Sequence, residues 1–80
     1  MSVYTQDDVR RRARKWLREG EGEHAAAIRL ASWSLDRRSR LAVRARERGR
    51  LDLAQWHDDL ANLERHVVRE LERLAAVSGD

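Results

Sequence analysis

The sequence contains no cysteine, no proline and no phenylalanine, and these absences narrow what the chain can be. Without cysteine it can form neither a disulfide nor a thiolate metal site. Without proline it lacks the residue that most strongly interrupts a helix. Alanine, leucine, arginine and glutamate dominate instead, and these residues favour helix in nearly every window. The composition therefore predicts an all-α protein.

The chain has 80 residues, which is enough for one domain with a thin core. Hydrophobic residues make up 41% and charged residues 39%, a polar mixture that still carries enough apolar surface to fold. No run approaches the roughly 18 apolar residues of a membrane span. The segment from Met1 to Asp8 lacks the pattern of a leader sequence, so the sequence predicts a cytoplasmic protein with no membrane partner.

Two glycine-containing segments divide the chain into three helices. Gly20-Glu21-Gly22 and Gly49-Arg50-Leu51 interrupt long stretches that contain no helix breaker. Thr5, with Asp8 three residues later, predicts a capping box at the first helix start. We expect one three-helix domain over residues 1–80, with helices at about 6–19, 23–48 and 53–77.

The third helix carries a clear start signal of its own. Asp52 fits the N-cap and Gln55 the N3 position of a capping box, while Leu51 and Trp56 fit a hydrophobic staple. Because so short a segment separates helices 2 and 3, we expect them to form a long antiparallel hairpin. Helix 1 folds back through the first glycine segment and covers only the first half of that hairpin.

The apolar positions of the two long helices predict how they face each other. Helix 2 has small residues along the middle of its apolar arc, which allows close approach of helix 3. These residues are Ala27, Ala31, Ser34, Ala42 and Ala45. Helix 3 has large apolar residues that step by three or four positions, namely Leu53, Trp56, Leu60, Leu63, Val67, Leu71 and Leu74.

The half of the hairpin that helix 1 leaves uncovered predicts a second chain. A layer of two helices rarely buries both of its apolar faces, so we expect a homodimeric helical bundle. The predicted interface consists of Arg38, Leu41, Trp56, Leu60 and Leu63. Arg38 projects near the centre of the apolar arc, where it either pairs with Glu64 or Asp59, of its own chain or of a second chain, or extends to the edge of the helix.

Charge is unevenly distributed: residues 1–50 carry a net charge of +7 and residues 51–80 a net charge of −4. One interpretation is a nucleic-acid-binding face on helix 2, formed by Arg29, Trp33, Arg37, Arg40 and Arg44. In a second interpretation of this face, Trp33 packs against Val9 and Ala13 of helix 1, and Arg37, Arg40 and Arg44 are an ordinary solvated face. A third interpretation is internal neutralisation of the charge across the hairpin. The basic end of helix 2 then lies along acids of helix 3, namely Asp52, Asp58, Asp59 and Glu64.

No residue pattern predicts catalysis or a cofactor. The three histidines include no pair at i, i+4 spacing, and no serine has the context of a nucleophile. The only glycine-rich segment is too short and too acidic to bind phosphate. We expect a non-catalytic protein-interaction module without metal or cofactor, such as an adaptor, a regulator, an antitoxin-like inhibitor or an assembly factor. A nucleic-acid-binding regulator is the alternative.

Overall fold

Three helices follow one another in the order that the glycine segments predict. The computed structural model describes residues 4–79 and contains α1 (Gln6–Glu19), α2 (His24–Glu47) and α3 (Leu51–Ser78). The all-α prediction is confirmed, with α2 and α3 packed along their lengths and α1 against both. The chain ends included in the predicted domain, residues 1–3 and residue 80, lie outside the described residues.

The start of α1 confirms the predicted capping box. The Asp8 amide donates to the Thr5 hydroxyl at 3.3 Å, and the Thr5 amide donates to the Asp8 carboxylate at 2.8 Å. Two backbone N–H groups that have no acceptor within the first helical turn thereby donate to side-chain oxygens.

The turn between α1 and α2 uses its two glycines differently. Glu21 and Gly22 have φ values of +56° and +82°, so Gly22 supplies the left-handed conformation that reverses the chain. Gly20 has an ordinary φ but is buried, and a Cβ there would lie 3.0 Å from the Ala27 nitrogen. Gly20 therefore permits close approach of the α2 start.

The start of α3 differs from the prediction. Gly49 reverses the chain at φ +73°, and α3 begins at Leu51 with Arg50 in the N-cap position. Asp52 already lies inside the first turn, where its carboxylate is 3.8 Å from the Arg50 guanidinium. The Gln55 side chain donates to Asp59 at 2.9 Å. The predicted Asp52–Gln55 capping box is therefore wrong, because the reversal is complete before Asp52.

The contact face of α2 is the predicted one. Its buried residues are the same five small residues that the sequence places along the middle of the apolar arc: Ala27, Ala31, Ser34, Ala42 and Ala45. Small side chains let two helices approach closely, and this explains why α3 packs along nearly the whole length of α2.

The contact face of α3 is not the predicted one in its first half. There α3 buries Ala54, His57, Ala61 and Glu64, each one position after a member of the predicted stripe. Only from Val67 onward do the predicted residues themselves become buried. The buried apolar residues of both helices in this half are alanines, and the larger side chains of α3 lie on the flank.

The core is consequently unequal at the two ends of the hairpin. In the half that α1 covers, Val9, Ala13 and Trp16 pack with Val67 and Leu71 and with α2 alanines. In the other half, the buried apolar residues among those described are all alanines, namely Ala42, Ala45, Ala54 and Ala61. We call this second part the distal half. Within residues 4–79 no helix is both long enough and apolar enough to cross a membrane.

Candidate interaction surfaces

The displaced stripe of α3 forms an apolar surface on the distal half of the hairpin. Trp56 is 53% exposed, while Leu60 and Leu63 are half-buried. These three side chains line one side of an open groove of about 680 Å³, together with Asp59. The size is within the range of protein ligand sites, although the groove is open along its length. We call it the α1–α3 groove.

The opposite side of the α1–α3 groove is a flank of α1. Its helical residues share one face of α1, since they recur at intervals of three or four positions, with Arg12 beside Arg11. They are Asp8, Arg11, Arg12, Lys15 and Arg18, and Tyr4 extends this side from the segment before the helix. This flank is not among the predicted interface residues, although its helical spacing is visible in the sequence. The groove thus combines an apolar floor with a mainly basic wall.

Glu64 holds the basic wall in place. This carboxylate is 1% exposed and accepts from the Arg12 Nε and Nη2 atoms at 3.2 and 3.3 Å. It also accepts from the Trp16 indole N–H at 3.1 Å. The Lys15 ammonium and the Arg12 guanidinium lie 4.6 and 5.3 Å from the Trp16 ring centroid. One buried carboxylate therefore joins α1 to α3.

Arg38 has a different partner from the one predicted. Its guanidinium lies 5.0 Å from the Trp56 ring centroid, and its Nη1 is 3.3 Å from the His57 Nδ1. Pairing with Glu64 or Asp59 of the same chain is wrong, because Glu64 binds Arg12 and Asp59 accepts from Gln55. The Arg38 side chain is half-buried, and its guanidinium contacts Trp56 and His57 at the edge of the hairpin.

The five predicted interface residues fall into two neighbouring parts. Trp56, Leu60 and Leu63 lie together in the α1–α3 groove. Leu41 lines a smaller depression of about 190 Å³ with Leu53 and His57. Arg38 connects the two parts, because it touches both Trp56 and His57. We call these five residues, Arg38, Leu41, Trp56, Leu60 and Leu63, the distal surface.

The predicted basic face of α2 is fully presented to solvent. Arg29, Arg37, Arg40 and Arg44 are exposed, and Trp33 is 57% exposed. The Arg37 guanidinium lies 5.9 Å from the Trp33 ring centroid. We call these five residues the arginine face. Packing of Trp33 against Val9 and Ala13 is wrong, because those residues pack instead with Ala27, Ala31 and α3.

Neutralisation across the hairpin is also much weaker than predicted. Of the four acids considered, only Asp58 pairs with the basic end of α2, through Arg46. Asp52 lies near Arg50 in the loop, and Glu64 binds Arg12 of α1. Among residues 4–79, none of the four arginines of the arginine face forms an ion pair. Their charge is therefore available to a ligand.

The chain was compared with models of protein families, with curated proteins and with solved structures. These comparisons find no match. In the part of the chain that the structure describes, no group of three histidine, aspartate or glutamate residues is placed to hold a metal ion. Function is therefore inferred from the two surfaces and their charges.

Burial of His57 beside Arg38 makes the stability of the fold depend on pH. Burial, then the neighbouring charges of Arg38 and Arg37, lower the pKa of His57 from its ordinary value of 6.5, while Asp58 acts in the opposite direction. His57 therefore binds a proton less readily in the folded protein than in the unfolded chain. The contribution of neutral His57 to the free energy of unfolding is fully present above about pH 6.5 and is lost as the pH falls toward the lowered pKa.

We therefore expect the free energy of unfolding to fall on acidification through about pH 6.5, by at most about 1.4 kcal/mol per pH unit for one proton. Urea unfolding over this pH range measures the effect. His57→Gln should remove it, whereas His66→Gln, at an exposed position of α3, should leave it unchanged. An unaltered pH profile in His57→Gln would show that another group is responsible.

Proposed function

We propose that this chain is a non-catalytic protein-interaction module and that the distal surface is where it binds its partner. One observation carries the proposal. The distal half fully buries no apolar side chain larger than alanine, yet it presents Trp56, Leu60 and Leu63 beside a groove. Apolar side chains gain about 25 cal/mol for each Å² removed from water, so this surface favours a partner that covers it.

The partner that this surface fits best is a second copy of the same chain. A two-fold dimer brings identical patches together, so each patch must be complementary to itself. The distal surface meets this requirement, because the apolar floor is bordered by cations of α1 such as Lys15 and Arg18 and by carboxylates such as Asp59. In a dimer the cations of one copy can face the carboxylates of the other.

Such a dimer also supplies the packing layer that the distal half lacks. Two hairpins joined through their distal halves form a four-helix layer, and α1 covers each hairpin on its other half. The interface has the composition typical of stable contacts, with a tryptophan and leucines at the centre and charges at the rim. Adaptors, antitoxin-like regulators and assembly factors are the functional classes consistent with a small non-catalytic dimer of this kind.

Sedimentation equilibrium tests the proposal directly. The unchanged chain should have twice the mass of one chain at high micromolar concentration. Leu60→Glu should weaken self-association by at least about 30-fold, because it places a charge at the centre of an apolar contact. Val77→Glu is the matched control, since Val77 is exposed on α3 outside the distal surface.

Circular dichroism shows whether each variant keeps its helix content. A monomeric mass for the unchanged chain at every concentration would overturn the dimer. If Leu60→Glu associates as strongly as the unchanged chain, the distal surface is not part of the dimer interface.

A further inference from the structure

The arginine face gathers four arginines on one side of α2, none of which has an ion pair among the described residues. Several other arginines lie near carboxylates, as in Arg10 with Asp7, Arg46 with Asp58 and Arg73 with Glu70. Arg29, Arg37, Arg40 and Arg44 have no such partner among the described residues. Two acids, Asp36 and Glu47, lie on the same side of α2, four positions before Arg40 and three after Arg44, but they form no ion pair with these arginines. A row of uncompensated guanidinium groups is suited to a ligand with repeated negative charges.

An aromatic ring stands within this row of cations. Trp33 projects from the same side of α2 as the four arginines and is more than half exposed. An exposed tryptophan beside arginine is a stacking platform for an unpaired base, and the guanidinium adds a cation–π contribution. A duplex hides the faces of its bases, so only a single strand can use this ring. Anions without a ring would use the arginines alone.

The length of the arginine face also suits a nucleic-acid strand. Arg29 and Arg44 are 15 positions apart, which is about 22 Å along a helix with a rise of about 1.5 Å per residue. This length presents several phosphate sites in a line on one side of α2. We propose that the arginine face binds single-stranded nucleic acid, with Trp33 stacking on one base and the arginines contacting phosphates. This function is separate from self-association through the distal surface.

Fluorescence anisotropy of a short fluorescein-labelled oligo(dT) strand tests this proposal. The affinity should fall as salt increases, with a slope of log K against log salt near −2.8 if four phosphates are neutralised. Arg37→Gln should reduce the magnitude of the slope by about 0.7. Arg69→Gln, an exposed position on α3, should leave the slope unchanged.

Tryptophan substitutions separate stacking from simple charge attraction. Trp33→Ala should weaken oligo(dT) binding roughly 5- to 150-fold, the range measured for loss of one base–aromatic stack. Trp56→Ala removes a tryptophan of similar exposure from the distal surface and should leave the affinity unchanged. Leu60→Glu should also retain binding, so failure of the dimer and failure of this proposal are distinguishable.

Three results would each overturn the proposal. The first is the absence of salt-dependent binding to oligo(dT) at low ionic strength. The second is binding that Trp33→Ala does not weaken, and the third is tighter binding to a duplex of the same length, because either would indicate charge attraction without base stacking.

Discussion

Glu64→Ala is expected to lower the free energy of unfolding by about 3–5 kcal/mol, the usual effect of breaking a buried ion pair from one side. Glu64 is almost completely buried and accepts three hydrogen bonds, two from Arg12 and one from Trp16. Removing the carboxylate leaves a partly buried guanidinium and a buried indole N–H without their acceptor. The free energy of unfolding of a small domain is itself only a few kcal/mol, so a loss of this size should detach α1 or unfold the whole chain.

Urea unfolding followed by circular dichroism measures this effect. Glu72→Ala is the matched control, because Glu72 is an exposed glutamate on the same helix, and its effect should stay within about 0.5 kcal/mol. Glu64→Gln should fall between the two, since an amide oxygen can still accept from Trp16 but carries no charge. Stability of Glu64→Ala equal to that of Glu72→Ala would contradict the assigned role of Glu64.

The contact face of α2 was predictable from the sequence because helical periodicity identifies which of its residues share one side. Five small residues lie along the middle of the apolar arc of α2, and these are its buried residues. The glycine segments likewise predicted three helices and their order, since the long stretches between them contain no residue that interrupts a helix. Local rules were sufficient wherever a single local pattern was present.

The α3 contact face could not be read in the same way because two patterns overlap there. The large apolar residues suggested one face, whereas Ala54 and Ala61, one position later in each repeat, are the buried apolar residues. Burial of small residues was therefore favoured over burial of Leu60 and Trp56. Which face of α3 is buried depends on α2, because the small residues of α2 set the distance between the two helices. The pattern of α3 alone therefore cannot predict it.

Long-range ionic contacts were the least predictable feature. Glu64 was considered a partner for Arg38, yet it binds Arg12, which is 52 positions away in the chain. The direction in which α1 lies decides this pairing, and sequence spacing does not encode that direction. The same contact lies at one border of the α1–α3 groove, which is why the basic wall was absent from the predicted interface.

Leu71→Ala is expected to lower the free energy of unfolding by about 2–5 kcal/mol, the range for truncating a buried leucine. Leu71 is 0% exposed and packs with Trp16 and Val67 in the core that all three helices share. Truncation removes its transfer free energy and leaves a cavity that the rigid helices can close only in part. Thermal or urea unfolding measures the loss, which should not depend on protein concentration.

Leu60→Ala makes the same chemical change at a half-buried position and should therefore separate folding from association. At concentrations where the chain is monomeric, its effect should be clearly smaller than that of Leu71→Ala. In the dimer its effect should grow with protein concentration, because weaker association lowers the stability that binding adds to the folded state. Equal losses for the two variants at low concentration would mean that the distal leucines belong to the core of the single chain. The distal surface would then lose the apolar exposure on which the proposed function depends.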